Sequence, residues 1–438
     1  MKSILSILLL LGSSLMASDQ IPAPAQDKPM LIQHGTLHTV SHGVLEGVDI
    51  LFNKGLITQM EKDIAPTAEM TVIDARGKHI YPGLIAGIST LGLVEISAVR
   101  ATLDYNEVGN FTPEVRANVS YNPDSETIPV TRSNGVLFVN VTPTGGRISG
   151  QSSLMAMDGW TWEDATFNHP TALQLNWPNM SINLDPRATI TVEDQEIARR
   201  EMLKELDDLM DKVRAYQMLQ MGSKQTHTSA HDLRLEAMIP YVNGEKPIFI
   251  QANDARQIEA AVSWSLKHEL RIVIVGGWDA WRLTDLLKKH AIPVIIEGTL
   301  RLPSRRNSDY QEAYSLPARL HDAGVSFCIS TSASAFMAPL VRDLPNHAAM
   351  AAAYGLPLDV ALRSITLSAA EILGIDDRIG SLEVGKDASL FIADGDILEI
   401  TSHVEQTFIH GTTTDMSDRH KVLYKKYEEK YKQLGITK

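Results

Sequence analysis

Three short apolar runs in the second half of the chain each end in polar and aromatic residues. Asn253, Asp254 and Arg256 follow PIFIQA, Trp278, Asp279 and Trp281 follow RIVIV, and Glu297, Thr299 and Arg301 close and follow PVIIE. Gathered at one end of a sheet, such residues make a pocket with aromatic walls and a few directed hydrogen bonds. The ligand-binding candidates are therefore Asn253, Asp254, Arg256, Trp278, Asp279, Trp281, Glu297 and Arg301. The carboxylates Asp279 and Glu297 are also the catalytic candidates, because a positioned carboxylate can take the proton of an attacking water. Structural roles compete: Asp254 or Asp279 can cap the helix that follows, and Arg256 can pair with a neighbouring acid. Glu297 stands apart, since it ends an otherwise apolar strand where burial would demand a partner.

Other chemistries find less in the sequence. His227 and His231 stand four apart and would share a helix face, but Thr226, Thr228 and Ser229 around them suggest a loop and no HExxH pattern accompanies them. His34 and His38 could face the same way on one strand, where surface or interdomain packing is the simpler role. The run Thr142–Gln151, TPTGGRISGQ, could bring backbone N–H groups close to a ligand, yet it lacks the GKS or GKT ending of a phosphate loop. Trp160 and Trp162 above it either line a pocket or simply pack. GQSSL at Gly150 begins like a serine-hydrolase elbow but lacks the second glycine. Cys328, the only cysteine, sits in FCIS and reads as a small buried hydrophobe.

The elements that would position these residues follow from periodicity. VLFVNV from Val136, PIFIQA, RIVIV, PVIIE and SFCIS from Ser326 read as strands buried on both sides. Helical patterns over Ala255–His268, Asp279–His290 and Asp309–Ala323 lie between them, so a parallel α/β sheet is expected, either doubly wound or closed. A long helix over Glu193–Gln220 carries Leu203, Leu206, Leu209, Met210 and Val213 as its apolar stripe, and a last helix is expected over Leu358–Leu373. Before all this, Met30–Ile80 alternates short β-rich runs with turns, including a hairpin at Asn53–Gly55. At the end, Leu423, Tyr427 and Tyr431 recur at helical spacing among lysines and glutamates, so a tail helix docked on the body is expected, with a homodimer contact as the alternative. The N-terminus reads as a signal peptide, with Lys2, an apolar run Ile4–Leu11 and a cut after Ala17, which points to an exported, periplasmic protein without stable membrane insertion. A formal charge of −13 argues against a nucleic-acid partner.

Two stretches carry a family resemblance. HIYPGLIAGISTLGLV, His79–Val94, and the later DDRIGSLEVGKDASL together resemble the metal-dependent amidohydrolase superfamily, nearest to its exported, imidazolonepropionase-like members. The resemblance implies a (β/α)8 TIM-type barrel with a small composite β-sandwich domain. Residues 1–17 would be the signal peptide and 18–29 a flexible leader; 30–80 and 376–414 would form the two parts of the small domain, 81–375 the barrel and 415–438 the C-terminal helix. The family's opening strand reads P-G-L-I-D-x-H-x-H, and here Ala86 takes the aspartate position while Ile88 and Thr90 take those of the two histidines. The fifth-strand histidine matches Gln251, the sixth falls at Gly276 or Gly277, and the last-strand aspartate falls on Ser332. An alkyl group donates no lone pair and a hydroxyl is a poor substitute for imidazole, so this pattern implies no metal cofactor and a ligand-binding role toward a small polar or peptide-like molecule. The alternative is hydrolysis of a C–N bond in a cyclic amide or dipeptide, with one divalent ion on unusual ligands among Gln251, Asp254, Asp279 and Glu297.

Overall fold

The computed structural model describes residues 20–185, 187, 189–223 and 231–436. The signal-peptide stretch and His227 lie outside these residues. Seven strands run through the centre: β1 (Leu84–Ser89), β2 (Val136–Val141), β3 (Leu173–Asn176), β4 (Ile248–Ala252), β5 (Ile272–Gly276), β6 (Val294–Glu297) and β7 (Phe327–Ser330). β3 to β7 pair in parallel in that order, and β1 pairs in parallel with β2. Antiparallel strands Ile148–Gln151 and Ser153–Ala156 are inserted after β2, on β3 and β2 respectively, so both sheets are mixed. This corrects the expectation of a purely parallel sheet.

The strand sequences explain the arrangement. VLFVNV in β2 and FCIS in β7 are buried at every position, as crossover helices on the outside and side chains on the inside require. Between β1 and β7 no backbone ladder forms among the described residues. Instead the Ser330 hydroxyl accepts from the Ile88 N–H and donates to the Ile88 carbonyl, both at 3.0 Å. Across the interior, a Cβ added at Gly87 of β1 would stand 3.2 Å from the Cys328 sulfur of β7 and 3.6 Å from Ile295 of β6, so these strands face one another around a filled core. Burial pushes the Cys328 thiol up to about 12, which makes it inert packing.

Helix Ala255–His268 falls on its predicted limits. The stretch predicted as one helix over Asp279–His290 is broken into a short 3-10 turn, Ala280–Arg282, and helix Thr284–Lys289. Leu358–Leu373 is likewise two helices, Leu358–Ser364 and Leu367–Leu373, parted at Ile365–Thr366.

Two further sheets flank this body. One pairs Met30–Gln33 with Asp49–Asn53 and Thr71–Asp74, and includes the hairpin whose turn is Lys54 and Gly55, both at positive φ. The other joins His79–Pro82 from the start of the chain to Leu390–Ala393 from its end. Ile32, Ile50 and Phe52 of the first sheet pack with Ile80, Leu390 and Phe408 of the second, so distant parts of the sequence share one core. The tail helix spans Arg419–Gln433 and is tied at its start, where Asp418 accepts from the Lys421 N–H and the Ser133 hydroxyl. Its stripe is not docked: Leu423, Tyr427 and Tyr431 are all exposed, because three apolar residues among lysines and glutamates offer too narrow a face.

Candidate functional site

β3 to β6 deliver their C-terminal residues to one mouth, where a hollow of 220 Å³ is lined by Gln174 and Asn176 of β3, Gln251 of β4, Val275 of β5 and Glu297 of β6. Thr142, Thr144 and Ser149 of the glycine-rich run close its side. That run is held down by Asn176, whose amide donates to the Gly146 carbonyl at 3.0 Å and to the Ser149 hydroxyl at 3.1 Å. Gln174 and Asn176 were missed in the sequence because the four-residue strand that bears them carries no long apolar run.

Glu297 is the chemical centre of the hollow. Gln251 Nε2 donates to its Oε2 at 2.7 Å, and the Ser332 hydroxyl donates to its Oε1 at 3.2 Å. Protein surrounds the carboxyl densely, and this burial pushes its pKa above the ordinary 4.5, against the pull of the two donors. The loop that follows is fixed from beneath. His347, buried on helix Leu344–Ala353, accepts at Nδ1 from the Thr299 N–H at 3.0 Å and the Leu300 N–H at 3.2 Å. Burial lowers His347 to about 4, which keeps it neutral and able to accept. Gly298 lets the loop come so close: a Cβ there would stand 2.9 Å from the His347 ring.

The other candidates are placed around this centre rather than in it. Asp254 caps Ala255–His268 in a capping box with Gln257. Asp279 is buried and receives a two-pronged pair from Arg305, at 2.9 and 2.6 Å, together with the Ala255 N–H at 3.1 Å. Burial works to raise its carboxyl, but these partners outweigh it and hold it below the ordinary range. Asp279 thus caps the preceding helix, not the following one. Asn253 points its Oδ1, which has no hydrogen-bond partner among the described residues, over Gly276. Arg301 stacks on Trp278 at 4.6 Å, and Trp281 contacts Arg282 and Arg319 at 4.9 and 4.8 Å. Arg256 forms no ion pair among the described residues.

The histidine alternatives do not assemble. His231 is exposed beside Glu236 at 3.5 Å, His34 meets Asp74, and His38 turns to His79 at 2.8 Å. Among the described residues no three His, Cys, Asp or Glu side chains converge as a metal cluster. Trp160 is exposed and Trp162 opens a one-turn helix capped by Thr161, both away from the mouth.

Comparison with known proteins bears on this architecture. Residues 281–416 match the model of the amidohydrolase family. An amidohydrolase from Thermotoga maritima has a solved structure that superposes with a TM-score of 0.77, at 23% identity, over 88% of this chain and 99% of that one. Over residues 281–416 the chain is thus similar to the amidohydrolase family, and its fold is that of a solved amidohydrolase. Among curated relatives, the amidohydrolase tasK of Hapsidospora irregularis is 25% identical over 417 residues, 83% of this chain but 39% of that protein. The chain thus spans about two-fifths of that relative's length. An imidazolonepropionase of Maricaulis maris is 37% identical over 90 residues, 20% of this chain and 22% of the relative. A prolidase solved with N-methylphosphonate-L-proline superposes with a TM-score of 0.54 at 17% identity, covering 88% of this chain and 99% of the other, a likeness of fold to the TIM-barrel-like amidohydrolases.

The five positions that the sequence resemblance set against metal ligands have the following surroundings. Ile88 is buried hydrocarbon, and the Thr90 hydroxyl donates to the Ser334 carbonyl at 2.9 Å. Gln251 and Ser332 both serve Glu297. Above Gly276, a Cβ would meet Asn253 Oδ1 at 2.0 Å and Gln251 Nε2 at 3.0 Å, so the space an imidazole would need is filled. No helix among the described residues is long and apolar enough to cross a membrane.

Proposed function

We propose that this chain is an amidohydrolase-fold protein without the usual metal centre, which binds a small polar or peptide-like ligand in the hollow over Glu297. The observation that carries the reading is the bridge Gln251–Glu297–Ser332, in which one carboxyl ties together two of the positions where the family's metal would be tied. The donor set present does not fit a divalent transition metal. One alkyl group, one glycine, two hydroxyls and an amide replace imidazoles and a carboxylate, and the amide and one hydroxyl donate hydrogen bonds to Glu297. Asp254 and Asp279, which an oxygen-ligand site would need, are spent on helix N-termini and on Arg305.

The chemistry of the lining supports the ligand class. Hydroxyls and amides share the lining with apolar side chains, Glu297 is its only charged side chain, and 220 Å³ suits a molecule smaller than a drug-sized ligand. A neutral compound rich in amide or hydroxyl groups satisfies such a wall without a buried unpaired charge. Export to the periplasm belongs to the same proposal and rests on Lys2 and the apolar run Ile4–Leu11. So do closure of the strands into a (β/α)8 ring, the two flanking sheets as one composite sandwich, and a homodimer contact through the uncovered tail helix.

The test is a thermal-shift and calorimetric screen of neutral dipeptides, cyclic dipeptides and small amides against the full chain, repeated with Glu297→Gln and Gln174→Leu. A saturable ligand whose affinity falls at least about tenfold in both variants is expected. Metal-dependent turnover of any of these compounds would contradict the reading.

A further inference from the structure

A second hollow, of 480 Å³, lies at the opposite, N-terminal ends of β4 to β7. Its floor is apolar: Ile272 and Val273 begin β5, and Val325 and Phe327 lead into β7. Its rim is cationic. Arg271 is exposed beside it, and Arg363 reaches over it from helix Leu358–Ser364. Only half of the Arg363 fork is engaged. Nη2 donates to Glu371 Oε1 at 2.7 Å, whereas Nη1 is shielded from water and has no partner among the described residues. Glu371 is the only acidic side chain in the lining, so two guanidiniums stand against one carboxylate. The Arg363 side chain is about a third exposed, and its planar fork is matched to an oxyanion.

We propose that this groove binds an apolar monocarboxylate, its hydrocarbon part on the strand-end floor and its carboxylate held by Arg363 and Arg271. Water would leave the apolar floor on binding, and the carboxylate would be held by the part of the Arg363 guanidinium that stays exposed and by Arg271. A simple inorganic anion cannot use the floor, and a neutral hydrocarbon cannot use the rim. Both halves are needed. The volume falls within the range of small-molecule sites, which favours a free acid over a docked helix. The site is independent of Glu297, from which it is separated by the length of the strands.

The probe is octanoate, titrated calorimetrically into the full chain, with octanol and acetate as the two half-ligands. Saturable octanoate binding is expected, at least about tenfold tighter than either half-ligand and weakened at least about tenfold by Arg363→Met. Glu297→Gln should bind octanoate as the unmodified chain does, which separates this groove from the mouth. Ser368→Trp, which fills the groove from helix Leu367–Leu373, should abolish binding and supplies a second test of location should Arg363→Met fold poorly. Absence of saturable octanoate binding, octanol binding as tightly as octanoate, or octanoate binding that survives Ser368→Trp would overturn the proposal.

Discussion

At their C-terminal ends the central strands carry polar side chains that bond to one another, while at their N-terminal ends they carry an apolar floor under two arginines. Gln251, Glu297 and Ser332 close the first end as a hydrogen-bonded set, and His347 pins its loop from below. The second end leaves Arg363 Nη1 without an acceptor among the described residues. The contrast teaches that polar strand ends can close on themselves where apolar strand ends leave a groove. At the mouth the space over Gly276 is taken by Asn253 and Gln251 and a carboxyl links Gln251 to Ser332, whereas the far end keeps the larger volume.

The comparison breaks most readily at Gly276. Gly276→His restores the imidazole type at that position but drives Cβ into Asn253 Oδ1 from a backbone with φ of +88°, so a loss of about 4 kcal/mol in denaturant unfolding is expected, with no gain of bound zinc. His347→Phe comes next. It strands the Thr299 and Leu300 N–H groups, at a cost of about 3 kcal/mol. It also removes a pH dependence. With the folded pKa lowered from 6.5 to about 4, the unfolded chain binds more protons between those values, so the contribution of His347 is full above 6.5 and is lost as pH falls toward 4.

Glu297→Gln sharpens the mouth by the opposite slope. Its folded pKa is raised above 4.5, so from 4.5 upward the native state holds the extra proton and the contribution of Glu297 falls as pH rises. The variant, which presents an NH₂ to one of two donors, should cost about 1 kcal/mol near pH 4.5, and the gap should narrow at higher pH in urea titrations. At the other end, Arg363→Met should change stability by no more than about 0.5 kcal/mol, since its one ion pair is partly exposed to solvent. Equal sensitivity of the two ends would remove the distinction between a closed set and an open groove.

Local signals made β2, β4 to β7 and the helix Ala255–His268 legible in the sequence, because burial on both faces writes a continuous apolar run and a capping box writes Asp254 with Gln257. Glu297 was legible for the same reason, a carboxyl ending an apolar strand. What was not legible depended on partners far apart in the chain. His347 lies 48 residues from the Thr299 N–H it holds, and Ser330 lies 242 from Ile88, so neither leaves a local pattern. The break after Asp279 was hidden likewise, since Arg305 draws that carboxylate away from the helix it was expected to start. The tail helix has the right period but too little apolar area to dock, which spacing alone does not weigh.

The most direct measurement is elemental metal content per subunit, on chain purified without chelator, before and after incubation with zinc, manganese or nickel and with Glu297→Gln in parallel. The bridge of Gln251, Glu297 and Ser332 predicts less than about 0.1 tightly bound ion per subunit in every case. Near-stoichiometric metal that disappears in a folded Glu297→Gln protein would contradict the account and make the mouth a rebuilt metal centre.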